Sequence, residues 1–218
     1  MRLTEDQQLR LDLYKETLDI KQARELYDFI TESKTVQPAK EAKRQNDNTD
    51  GVFIVFDDHT VPWDPTWEYD RKDNVVGIGI RQGERSIVVA LHDIGKFKLP
   101  ETPHANHITD LEDAVDDFKG KDNTAILEDA GLDFDLAQGW WIPSVGELLL
   151  IFTHIKQVND ALRHFNGAPL EGWHWTSTSY GVYYAWYVSF SNGNVNNSYG
   201  YRVNSSRVRA VAAFNFEL

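Results

Sequence analysis

The spacing of apolar residues changes twice along the chain, and each change marks a different kind of structure. Leu9, Leu13, Tyr14, Leu18, Leu26, Tyr27 and Ile30 recur at helical spacing. Thr4 with Gln7 has the form of a capping box in front of them. This predicts one or two helices over about 5–32. The polar stretch TESKTVQPAKEAKRQNDNTDG, broken by Pro38 and Gly51, reads as a linker. From residue 51 the apolar runs become short and β-branched. GVFIVF (51–56) reads as a strand, and VVGIGI (75–80) and SIVVAL (86–91) read as a hairpin around RQGE. Gly77, Gly79 and Gly83 are spaced one residue too long for a dinucleotide fingerprint, and no helical pattern follows them. Across TDLEDAVDDFKGKDNTAILEDAG, Asp and Glu alternate with Leu111, Ala114, Val115 and Phe118, which predicts helix with a solvated acidic face.

The most definite local signal is GWWIPSVGELLLIFTHIKQVNDALRHFNG. Trp140, Trp141 and Ile142 lead in, Pro143 ends that strand, and Ser144 with Glu147 forms a capping box. Leu148, Leu149, Ile151, Phe152, Ile155, Val158 and Leu162 then carry one helix to a stop at Asn166-Gly167. Beyond Gly167 the period falls to two. Trp186, Val188 and Phe190 share one strand face, and Tyr187, Ser189 and Ser191 share the other. Asn192-Gly193 predicts a two-residue type I′ turn with both residues at positive φ.

Charge separates the same regions. The net charge of -12 resides in residues 51–171, while 172–218 carry a net +2 and 1–50 a net -2. The acidic balance excludes a binder of the nucleic-acid backbone, which needs a Lys/Arg surface. No apolar run reaches membrane-spanning length, and the N-terminal residues show no signal-peptide pattern. The chain has no cysteine, so disulfides, thiolate metal sites and thiol nucleophiles are excluded.

The residues offer little catalytic chemistry. His104 and His107 form H-x-x-H in a loop without the glutamate of a zinc-protease helix. His154, His164 and His174 fall in the amphipathic helix and between two tryptophans, where a structural role is the ordinary one. No G-x-S-x-G elbow and no calcium loop are present. No catalytic residue, metal ligand or cofactor is therefore expected. The rival reading is a metal-dependent hydrolase using an acidic cleft of Asp57, Asp58, His59 and the 110–135 carboxylates.

Residues 177–206 differ from the rest of the chain. Of these thirty residues seven are Ser, six Tyr, five Asn and three Gly, with no Asp, Glu, Lys, Gln or Met. Tyr gives large contact area for few frozen torsions, and Ser, Asn and Gly give adaptable hydrogen bonding, which is the composition of a versatile binding surface. GWWIPSVGEL, WHWTSTS, AWYVSFSNGNVNN and RVRAVAAF follow in that order. Together they resemble the C-type lectin-fold variable proteins of diversity-generating retroelements. The phage major tropism determinant and bacterial Trp-rich domains of unknown function belong to that group. The resemblance covers about 51–218 and is most specific over 139–211.

The resemblance implies an α+β, C-type lectin-like fold with a mostly antiparallel mixed sheet and two helices. The N-terminal helical arm and linker (1–50) would precede a ligand-binding domain (51–218) with a variable region of about 177–206. Adenine-directed mutagenic copying of Asn codons yields Tyr, Ser, Gly, Val and Arg but never Glu, Lys, Gln or Met, in keeping with 177–206. The variable, ligand-binding positions implied are Tyr180, Val182, Tyr183, Tyr184, Tyr187, Ser189, Ser191, Asn194, Asn196, Asn197, Ser198, Tyr199, Tyr201, Arg202, Val203 and Asn204. The implied frame is Trp140, Trp141, Trp173, Trp175, Trp186, Arg207 and Arg209, with Ala185, Val188, Phe190, Gly193, Val195 and Val208. The expected role is non-enzymatic recognition of a protein or glycan ligand on a virion or cell surface, with self-association through the arm or a structural surface or fibre role beside it. The calcium motifs of sugar-binding C-type lectins and the cysteines of formylglycine-generating enzymes are absent, so neither activity is carried over.

Overall fold

The computed structural model describes residues 50–69, 74–197 and 201–214. The helical arm expected over 1–50 lies outside them except for Asp50, as do Ser198 and Tyr199. The elements are β1 (Gly51–Phe56), β2 (Thr60–Pro62), β3 (Val75–Gln82), β4 (Arg85–Ala90), β5 (Gly95–Phe97), α1 (Leu111–Val115), α2 (Gly120–Asp129) and β6 (Trp140–Trp141). They continue as α3 (Val145–Thr153), α4 (Ile155–His164), β7 (Trp173–Gly181), β8 (Tyr184–Ser189), β9 (Val195–Asn196), β10 (Ser206–Val208) and β11 (Val211–Ala212).

Two sheets form. The first runs β2-β1-β3-β4-β11-β6 and the second β5-β10-β7-β8-β9. Every pairing is antiparallel except that of β10 with β7, where Arg207 faces His174. The architecture is α+β. The β-branched runs of β1, β3 and β4 place Val52, Ile54, Ile78, Ile80, Ile87 and Val89 in the main core. There they meet Leu148 and Ile151 of α3, Val158 and Leu162 of α4, and Trp186 and Val188 of β8. The opposite face of the first sheet buries Phe53, Val88 and Phe214. Gly79 makes room for the Phe214 ring, since a Cβ there would lie 2.8 Å from it. A Cβ at Gly77 would lie 2.5 Å from Val89 O, so strand packing accounts for both β3 glycines.

The long helix expected over 145–165 is two helices broken at His154, whose φ of -111° is not helical. The start matches expectation: the Ser144 N–H donates to Glu147 Oε2 at 2.8 Å, closing the capping box. The stop does too. Asn166 takes φ 59°, and the Gly167 N–H donates to Leu162 O at 2.7 Å, a Schellman ending with Asn in the left-handed position. The acidic region folds as α1 and α2 with most carboxylates in solvent, but Asp117 is buried and accepts from Thr178 Oγ1 at 2.7 Å and Asn123 Nδ2 at 2.8 Å.

The second sheet is covered on both faces. Trp186 and Val188 enter the main core, while Trp175, Ala185, Tyr187 and Val208 enter a second core with Leu99, Leu127 and Ile142, flanked by Phe134 and Leu136. The alternation along β8 is as expected, but its Tyr/Ser face does not meet water, because Leu99, Leu127, Phe134, Leu136 and Ile142 form a second core over it. Tyr187 is 6% exposed, with its ring 4.4 Å from that of Trp173.

The expected type I′ turn is also absent. Among non-glycine described residues only Asn166 has positive φ, so Asn192 does not. Gly193 alone turns, at φ 74°, with its N–H donating to Ser189 O and the Ser189 N–H donating to Asn194 O, in a wider loop.

Candidate ligand-binding surface

At one end of the second sheet β7 and β8 meet in a hairpin. Gly181 pairs with Tyr184, so Val182 and Tyr183 form the loop. The 201–204 segment runs alongside: Tyr201 bridges Tyr184, and the Arg202 N–H donates to Tyr183 O at 3.0 Å. A second strap supports the loop from below, with the Thr102 N–H donating to Val182 O at 3.2 Å and the Ile108 N–H to Ser179 O at 2.8 Å. The tip is therefore fixed by backbone bonds from three chain segments, whatever side chains it carries.

The side chains there are exposed. Tyr183 and Val203 are 49% accessible and Tyr184 and Tyr201 40%. These four belong to a set of seven exposed large hydrophobic residues among the described ones. Their rings continue inward as a ladder. Tyr201 lies 5.4 Å from Tyr184, Tyr184 6.5 Å from Tyr180, and Tyr180 5.4 Å from Trp186. The Trp186 indole N–H donates to Ile108 O at 2.7 Å and anchors the ladder in the core. Such a surface can offer apolar ring faces and phenol hydroxyls to a ligand without rearranging its backbone.

The sixteen expected positions divide. Tyr183, Tyr184, Tyr201, Val203 and Asn204 are exposed around the tip, and Tyr180 and Val182 are half-buried beside it. Ser191 and Asn194 are exposed beyond the far end of β8, about 17 Å from the tip at strand rise. Asn196 and Asn197 are half-buried on the path between. Tyr187, Ser189 and Arg202 are buried and have no place on a ligand-facing surface. Tyr187 lies under the second core's cover, and Ser189 closes the β8–β9 loop through its backbone.

Arg202 lies directly under the tip at 1% exposure. Its Nη2 donates to Thr102 Oγ1 at 2.8 Å and Ser179 Oγ at 2.9 Å. Those two hydroxyls are 3.1 Å apart, and His107 Nδ1 is 2.9 Å from Ser179 Oγ. Burial alone pushes the Arg202 guanidinium down to about 10.

The expected frame residues are spread over both sheets. Trp175 Nε1 donates to Phe97 O at 2.9 Å and Trp141 Nε1 to Glu147 Oε2 at 3.1 Å. Trp140 and Trp141 form β6 against β11, and Trp173 is half-buried on Tyr187. Arg209, fully buried, donates from Nε to Asp93 Oδ1 at 2.7 Å, from Nη1 to Ala90 O at 2.8 Å and from Nη2 to Ala168 O at 2.9 Å. His174 Nε2 is 3.1 Å from the same Asp93 oxygen, and Arg207 reaches Glu171 O at 3.0 Å. The Asp93 role was not read from the sequence. The basic residues of 202–209 in an acidic chain were its one available signal.

A comparison with protein-family models finds no match, and neither does one with the curated proteins. The fold itself has a solved counterpart. The chain is similar to a fimbrial protein from Bacteroides ovatus ATCC 8483, with a TM-score of 0.57 and 16% identity. The match covers 76% of this chain and 49% of that one, so the chain matches about half the length of that neighbour.

The remaining candidates do not converge. Asp57, Asp58 and His59 sit in the β1–β2 turn, where Asp57 accepts from Asn74, Asp58 contacts His59, and His59 stacks on Phe56. Among the described residues no three His, Asp or Glu side chains come together as a metal cluster. The buried His174 turns its other ring nitrogen toward Gly172 O, 3.5 Å away, not toward a hydroxyl nucleophile. Among the described residues no helix is long and apolar enough to cross a membrane.

Proposed function

We propose that this domain is a non-enzymatic recognition module of a surface protein, binding a protein or glycan through the tip formed by Tyr183, Tyr184, Tyr201 and Val203. The observation that carries this reading is the tip itself: four large side chains stand in water on a backbone pinned by three segments. Isolated exposed apolar residues are ordinary, but a clustered aromatic patch marks an interaction site. The proposal extends to a C-type lectin-like relationship and to diversification. The positions free to vary are then the exposed and half-exposed ones, and Tyr187, Ser189 and Arg202 join the frame.

The test is a screen of the purified protein on a glycan array and an array of surface-protein ectodomains, beside the Tyr183→Ser/Tyr184→Ser/Tyr201→Ser variant. Ligands held by the parent and lost by the variant support the reading; identical binding by both removes it. Diversification is tested in the source genome: a near-identical repeat differing at adenines supports it, and no such repeat refutes it. The fold shared with a fimbrial protein favours a second reading, a structural component of a surface fibre. Self-association abolished by the same triple variant, with no array ligand, would establish that role instead.

A further inference from the structure

Among the described residues two arginines are buried completely, and they are treated differently. Arg209 faces the carboxylate of Asp93 and two backbone carbonyls, so its charge and its donors are both answered. Arg202 faces only hydroxyls. A guanidinium has five N–H donors. The two on Nη2 go to Thr102 and Ser179, while the one on Nε and the two on Nη1 are buried with no partner among the described residues. Among those residues Arg202 makes no ion pair either, and burial pushes its guanidinium down to about 10. A buried charge without a counter-charge is among the costliest features a fold can contain. Water could satisfy the N–H groups but would leave the charge unanswered. One small anion does both.

We propose that Arg202, with Thr102 and Ser179, forms an internal site for one singly charged anion, held on the unsatisfied N–H groups of the guanidinium beneath the tyrosine tip. The site does not depend on what the tip binds. Hydroxyls at 2.8 and 2.9 Å fix the guanidinium plane, and His107 fixes the Ser179 hydroxyl from the other side. A bound anion neutralises the guanidinium and so stabilises the folded position of Arg202, whose Nη2 already joins the 201–204 segment to Ser179 of β7. The shared chemistry is that of a halide or a single carboxylate.

Thermal unfolding is measured at constant ionic strength while sodium fluoride is replaced by sodium bromide, and separately by sodium formate. The full chain, Arg202→Met and the surface control Arg163→Met are compared. The expected result is a saturable rise in Tm of about 3 °C or more for the parent and Arg163→Met. Arg202→Met should show none. Saturation by bromide alone identifies an inorganic halide, and saturation by formate as well identifies a site open to carboxylates. A second measurement does not rely on the variant folding: crystals of the parent grown with bromide should show anomalous scattering beside Arg202 Nε or Nη1. A parent with no saturable response and no bromide at Arg202 overturns the proposal, as does a response equal in all three proteins.

Discussion

Replacing Asp93 by asparagine tests how the second sheet is held to the first. The Asp93 side chain is 23% exposed, while its partners Arg209 and His174 are fully buried. Burial by itself would raise the Asp93 carboxyl. The hydrogen bond from His174 and the Arg209 charge outweigh it and hold the carboxyl below its ordinary range. An asparagine keeps an acceptor for Arg209 Nε but removes the charge, leaving a guanidinium in the interior answered only by Ala90 O, Ala168 O and an amide. Breaking a buried pair by removing one charge costs about 3–5 kcal/mol, and the retained acceptor places this case near about 3. For a domain of this size that lowers Tm by about 6–12 °C. Urea unfolding of parent and Asp93→Asn, followed by circular dichroism from pH 7 to pH 3, gives the readout. A carboxyl with a depressed folded pKa contributes stability that is present above the unfolded value of about 4 and lost as pH falls through the folded value. The gap between the two proteins should therefore be full at pH 7 and narrow as pH falls below about 4. A loss below about 1 kcal/mol at pH 7, or a gap independent of pH, would show that the carbonyls alone carry Arg209.

Substitutions at Tyr187, Tyr183, Glu147 and Gly193 probe the same architecture. Tyr187→Asn should cost about 3 kcal/mol in urea unfolding, because it empties the space beside Trp173 and Trp175, whereas Tyr183→Asn should stay within about 0.5. Glu147→Ala should cost about 2 kcal/mol, since it opens the capping box and strands the buried Trp141 N–H. Burial raises the Glu147 carboxyl despite its bonds to Ser144 and Trp141, so ionising it opposes folding; Glu147→Gln should remove that loss of stability as pH rises through the folded value. Gly193→Ala should cost about 1–3 kcal/mol, because φ is 74° and the new methyl meets the Phe152 ring.

What the sequence showed and what it hid follow from the range of the interactions. Ser144 with Glu147, Asn166 with Gly167, and the β3–β4 hairpin are set by residues within a few positions of each other, and all were readable. The cover over β8 is not local. Leu99, Leu127 and Phe134 arrive from chain far upstream, and nothing in AWYVSF names them. Its near-continuous apolar character is nonetheless a signal of burial on both faces, which the alternation of Tyr187 with Ser189 conceals. The helix break at His154 has no Gly or Pro to announce it. At the candidate surface, composition found the tip tyrosines because exposure at a hairpin loop is local, and misplaced Arg202 because its burial depends on Thr102 and Ser179.

The central claim is that the tyrosine tip binds while the frame beneath it folds without them. Tyr183→Ser/Tyr184→Ser/Tyr201→Ser measures both halves at once, by Tm and by affinity for the best ligand from the arrays. The account expects Tm within about 2 °C of the parent and affinity reduced about 30-fold or more, the effect of losing a single strong aromatic contact. Affinity within threefold of the parent, or a variant that no longer folds, would contradict it.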